Sequence, residues 1–111
     1  MDLDALIQRA KDKDSDAFDI LYRTYYLKMM RVCMNIIKED KDTAKDLVHD
    51  AFVMAFVSIG SLKDNTRFYE WLTSIVRNVS LKHVERRGRI RIQPFSTVNE
   101  EDAVFVDPAS S

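Results

Sequence analysis

Apolar residues recur three and four positions apart along most of this chain, and almost nothing interrupts them. Only two glycines, Gly60 and Gly88, and two prolines, both beyond residue 89, occur in 111 residues. Spacings of three and four line one face of an α-helix, whereas a half-buried strand alternates every second residue. The expected fold is therefore all-α: a compact bundle of three long helices plus a short N-terminal helix, followed by an extended C-terminal linker. A content of 46% hydrophobic and 32% charged residues allows one packed domain of this kind and argues against a disordered chain.

The periodicity places the elements. A short helix near residues 2 to 12 carries Leu3, Leu6, Ile7 and Ala10 on one side. Asp14 or Ser15 can cap a second, running to about residue 38 through Phe18, Leu21, Tyr22, Tyr25, Met29, Val32, Cys33 and Ile36. Met29, Met30, Met34 and Cys33 on this helix are core filler. After the charged turn "KEDKD", Asp42 or Thr43 can cap a third helix with Ala44, Leu47, Val48, Ala51, Phe52, Ala55 and Ile59 inward, ended by Gly60. The polar connection "GSLKDNT" leads to a fourth, capped by Asn65 or Thr66, with Phe68, Leu72, Ile75, Val76 and Val79 inward and Gly88 near its end. From Arg89 the period stops, and the segment reads as a linker.

Several function classes are excluded at this level. No apolar run reaches the roughly 20 residues of a membrane span, and the start has no basic and apolar leader, so a cytoplasmic protein without membrane insertion is expected. The single cysteine, Cys33, rules out an intrachain disulfide. No nucleophile and base pair, phosphate loop or metal box is present, so neither catalysis, a cofactor nor a metal is expected.

A net charge of −1 conceals a segregation. Residues 1 to 65 carry −2, residues 66 to 93 carry +5, and residues 94 to 111 carry −4. A cationic block in an otherwise acidic chain is the footprint of a polyanion contact. At about 100° per residue, one flank of the fourth helix collects Arg67, Trp71, Asn78, Lys82, Glu85 and Arg89. Rings stack on bases, cations attract phosphates and an amide reads a base edge, so this strip, with Trp71 exposed on it, suits a strand whose bases are unstacked. The outward face of the third helix instead mixes Asp46, His49 and Asp50 with Val53 and Val57, as a protein-docking face does.

Two stretches, "DTAKDLVHDAFVMAFVSIGSL" and "FYEWLTSIVRNVSLKHVERRGR", occur in that order. They resemble the second conserved region of bacterial sigma factors of the extracytoplasmic-function (ECF) group, in which an Asp-Leu-Val-Gln-Glu-Phe-like helix precedes a Trp-Leu-x-x-Ile-x-x-Asn helix. The resemblance spans about residues 12 to 90 and implies a non-enzymatic subunit of bacterial RNA polymerase that recognises and melts the promoter −10 element. It implies that Asp46, Leu47, His49, Asp50 and Val53 face the coiled coil of the polymerase's largest subunit; this chain has His49 and Asp50 where the family usually has Gln and Glu.

On the DNA side, the loop of Ser61, Leu62, Lys63, Asp64 and Asn65 resembles the one that captures a flipped base of the non-template strand, with Phe68 and Asn78 near its pocket. Trp71, Arg77, Asn78, Lys82, Arg86 and Arg87 are expected near the upstream edge of the opened duplex. Asn65, Asn78 and the backbone of residues 61 to 66 are the expected discriminators of sequence. The resemblance also implies an anti-sigma factor as partner, and a helical interaction module bound by such a regulator is the alternative function. Residues 1 to 90 form the expected domain and 91 to 111 an acidic interdomain linker; the −35-binding domain expected after it is absent, as in a trimmed fragment.

Overall fold

A computed structural model of the chain describes residues 2–88. The linker expected over 91 to 111, and Arg89, lie outside them. Four α-helices make up the described residues: α1 (Leu3–Lys11), α2 (Ser15–Ile37), α3 (Lys41–Ser58) and α4 (Phe68–Arg86). A 3₁₀ turn at Ile59–Ser61 and another at Asn65–Arg67 bracket the connection between α3 and α4. Each of the three long helices packs on the other two, while α1 lies against α2 and both 3₁₀ turns.

The expected apolar stripes form the core. Leu21, Met29, Met30, Cys33 and Ile37 of α2 meet Ala44, Val48, Ala51, Phe52 and Ala55 of α3, and Phe68, Leu72, Ile75, Val76 and Val84 of α4. The three alanines of α3 allow close helix approach, and the aromatic residues fill what remains. Phe52 is buried with its ring 4.6 Å from that of Tyr22 and 5.8 Å from that of Phe56, which stacks on Phe18 at 4.4 Å. Each such buried side chain contributes roughly 1.5–3 kcal/mol through burial of apolar area, so α3 is held chiefly by its inward face.

Helix starts depart from expectation in two places, for one physical reason: short polar side chains compete to cap. Asp14 caps α2 as one of the two candidates, its carboxylate accepting from the Asp16 amide at 3.0 Å. At α3, however, Asp40 is the cap, accepting from the Thr43 amide at 3.0 Å. Lys38 ends α2 in the left-handed region at φ 54°, which leaves only Glu39 and Asp40 before the next helix starts. Asp64, not Asn65 or Thr66, initiates the chain's entry to α4, accepting from the Thr66 amide and hydroxyl at 3.0 and 2.6 Å. Gly60 ends nothing by itself: α3 stops at Ser58 and tightens into a 3₁₀ turn, with the Ser61 hydroxyl donating to the Ser58 carbonyl at 2.7 Å. Gly88 does adopt the conformation that favours glycine, with φ +75° just past the end of α4.

Candidate nucleic-acid interface

The polar connection folds back over the start of α4 and encloses a cleft of about 330 Å³. Ser61, Leu62, Lys63 and Asp64 form one wall, and Arg67, Glu70, Trp71 and Ser74 the other. Of the expected loop residues, Ser61, Lys63 and Asp64 are exposed at the rim. Leu62 points inward and is only 5% exposed, so it anchors the loop in the core. Asn65 is half-buried and lies outside the cleft lining; its Nδ2 donates to Asp4 Oδ1 at 2.9 Å and its Oδ1 is buried without a partner. The Asp64 carboxyl is held below the usual carboxylate range by the Thr66 hydroxyl and amide, and is ionised at neutral pH.

Trp71 is a correction to the sequence reading. It is not exposed on the α4 flank but 9% exposed, with its ring 5.9 Å from that of the fully buried Phe68. Helical-wheel arithmetic places it beside Asn78 and Lys82, but such arithmetic knows nothing of the loop, whose Ser61, Leu62, Lys63 and Asp64 share the cleft with Trp71 on this side of α4. Phe68 is a fully buried core residue beside Trp71, which keeps 9% of its surface exposed and lines the cleft. Glu70 and Ser74 are cleft residues that sequence reasoning missed; positions 67, 71, 74 and 78 share one helix face, which was the available signal.

Farther along that face a second groove, of about 250 Å³, opens between α3 and α4. It joins Leu47, Asp50 and Met54 of α3 to Asn78, Val79, Lys82 and Arg86 of α4. Residues expected to serve two different partners therefore share one depression. Among the described residues Arg77, Lys82 and Arg86 enter no ion pair, so their charge is available to an external anion. Arg87 is differently placed: its guanidinium lies 3.7 Å from Glu39, whose other carboxylate oxygen is 3.1 Å from His83 Nε2. That cluster ties the C-terminal end of α4 to the α2–α3 connection.

The outer face of α3 presents Asp46, His49, Asp50, Val53, Met54 and Val57. Val57 is 75% exposed, Met54 51% and Val53 47%, while Leu47 is half-buried at the border of the core. His49 meets the edge of Tyr22 with centroids 6.5 Å apart. A contiguous apolar strip beside carboxylates, left open by the bundle, has the character of a docking face. Met54 belongs to it and was not singled out by the sequence reading. No group of three His, Cys, Asp or Glu among the described residues is arranged to hold a metal ion, and no helix among them is long and apolar enough to cross a membrane.

Comparison with known proteins agrees with the two motifs. Residues 21–90 match the Sigma-70 region 2 family. The RNA polymerase sigma-H factor of Pseudomonas aeruginosa is 32% identical over 102 residues, covering 92% of this chain and 51% of that protein. The ECF RNA polymerase sigma-E factor of Haemophilus influenzae is 28% identical over 103 residues, covering 93% and 52%. The ECF RNA polymerase sigma factor SigW of Bacillus subtilis is 28% identical over 81 residues, covering 73% and 43%. The chain thus spans about half the length of the curated relatives it matches, and no solved structure matches it. With more than half of its residues inside that match and ECF sigma factors among its relatives, the chain belongs to the Sigma-70 region 2 family.

Proposed function

We propose that this chain is the part of an ECF sigma factor that binds core RNA polymerase and recognises and melts the promoter −10 element, directing transcription initiation in the cytoplasm. The observation that carries this reading is the continuity of one α4 face, from a cleft of about 330 Å³ at the loop to the unpaired cations Lys82 and Arg86. Opening a duplex without a chemical fuel requires contacts that exist only for separated strands. Unstacking a base costs a few kcal/mol per step, and a pocket that receives the extruded base offsets a cost of that size.

Each part of the face has a chemical task in this reading. Lys63 and Arg67 at the cleft rim attract phosphate, while the carboxylates of Asp64 and Glu70 repel it and accept from the amino group of a base edge. Trp71 supplies an apolar wall whose position is fixed by Phe68. Asn78 reads the strand upstream, and Lys82 and Arg86 hold its backbone through salt-sensitive attraction, while the exposed Arg77, about 100° round the helix from Asn78, adds charge from the flank. Arg87 contributes less, because Glu39 already engages it. Neither catalytic groups nor a cofactor enter this function, since binding energy alone performs the work.

The α3 face serves the protein partner. Asp46, His49, Asp50, Val53 and the half-buried Leu47 face the coiled coil of the largest polymerase subunit, and an anti-sigma factor that covers this face inhibits the protein. Residues 1 to 90 form the working domain, with 91 to 111 as the acidic linker toward a −35-binding domain. Co-purification with core polymerase tests the assignment. The pair D46R/D50R abolishes the association while leaving the far-ultraviolet circular dichroism spectrum unchanged; retained association means that the docking face lies elsewhere.

A further inference from the structure

The loop that forms the cleft is held from outside the helices that it connects. Lys11 Nζ, at the end of α1, donates to the Leu62 carbonyl at 2.6 Å. Asp4, in the first turn of α1, accepts from Asn65 Nδ2 at 2.9 Å. Positions 4 and 11 are seven residues apart, so they share one face of α1 and lie about 10 Å apart along its axis. One side of α1 thus grips both ends of the segment from Leu62 to Asn65.

Leu6, Ile7 and Ala10 are buried beneath α1 and seat it firmly on the bundle. The loop's own bonds, Leu62 N–H to the Ile59 carbonyl at one end and Thr66 and Arg67 to Asp64 at the other, lie within its two 3₁₀ turns, and α1 supplies the hydrogen bonds that reach it from outside. Its carbonyl at Leu62 and its side-chain amide nitrogen at Asn65 are satisfied by α1, and the remaining Asn65 oxygen is buried without a partner among the described residues. Among the described residues the bond to Asp4 is the one hydrogen bond that the Asn65 side chain makes, and so the one that orients it. Asn65 therefore acts as a fastener, and the width of the cleft between Lys63, Asp64 and Trp71 depends on where α1 pulls the loop.

We propose that Asp4 and Lys11 are positioning residues for base selection: they set the loop that receives an extruded nucleobase without touching DNA themselves. This rests on the reading of the cleft as a base pocket, although α1 lies outside the residues that match the family. It moves part of the sequence specificity onto the N-terminal helix. Asn65 then acts through geometry, not through a hydrogen bond to a base edge.

The test uses the chain with fluorescent forked oligonucleotides that differ only in the base offered to the cleft. In D4A and K11M the ratio of affinities between the best and worst base falls by about five- to tenfold, the scale of one hydrogen bond, while affinity for plain duplex stays within about twofold. D4N keeps the wild-type ratio, because a carboxamide oxygen accepts the same bond from Asn65. Since D4N and D4A remove the same charge, a loss in both alike overturns the proposal in favour of simple electrostatics. An unchanged ratio in D4A and K11M also overturns it.

Amide hydrogen exchange across residues 61–66 of the DNA-free protein supplies the second measurement. Exchange there accelerates in D4A and K11M but not in D4N, and unchanged exchange refutes the brace. Should the wild type show no base preference, the pocket reading fails while the exchange data still decide whether α1 holds the loop.

Discussion

Replacing Trp71 by alanine separates its structural contribution from any direct contact with DNA. The indole is 9% exposed and packs on Phe68 at a centroid distance of 5.9 Å, so the substitution opens a cavity between α4 and the loop. Large-to-small changes of this kind cost about 3–5 kcal/mol in a core. At about 0.05–0.15 kcal/mol per residue, a domain of this size has roughly 4–13 kcal/mol in all, so W71A should lose between about a quarter and all of its stability. W71F retains a ring against Phe68 and should cost about 1–2 kcal/mol, the loss of a few buried carbon atoms. Urea unfolding followed by circular dichroism at 222 nm reads both values. The buried placement predicts a large drop for W71A and a small one for W71F, with W71F keeping its affinity for forked DNA. A W71A variant within about 1 kcal/mol of the wild type, at the level of a surface substitution, would refute the packing argument.

Asn78 lies in the α3–α4 groove beside Lys82; N78A should reduce the preference for a −10 fork over a scrambled one by about 1–3 kcal/mol, measured by competition binding, and an unchanged ratio removes it as a reader. Acid sensitivity has a defined sign. Hydrogen bonds lower the carboxyls of Asp14 (chiefly from Arg9), Asp40 (from Thr43) and Asp64 (from Thr66) below their ordinary value of 3.8. Their contribution is therefore complete above that value and lost as pH falls through the depressed folded values. A D14N/D40N/D64N variant should show a shallower loss of helix signal below about pH 4, and a curve superimposable on the wild type would contradict the capping account.

How much of this was readable in advance follows the range of the interactions. The stripes through Leu21, Val48, Phe52, Leu72 and Val76 needed only local spacing, because a helix places every third and fourth side chain on one face. The outward valines of α3 were legible for the same reason. Trp71 was misplaced because the periodicity of α4 carries nothing of the connection whose Leu62 turns inward and lines the same cleft. Asp40 displaced Asp42 as a cap because α3 already begins at Lys41, after a link of two residues made possible by the left-handed turn at Lys38, a conformation that lysine does not advertise. The union of Asp50 with Asn78, Lys82 and Arg86 depends on how α3 crosses α4, and the pairing of Asp4 with Asn65 spans 61 positions. Long-range placement of this kind leaves no periodic trace.

The most direct test of the account is the affinity of the chain for a forked oligonucleotide with an unpaired −10 strand against the same sequence as a continuous duplex, at one fixed salt concentration. If the loop cleft and the α4 face hold bases that have left the helix, the fork binds at least about tenfold more tightly, equivalent to about 1.4 kcal/mol. Equal affinity for the two would show that the face recognises only the charge of DNA, and the melting function would have to be abandoned.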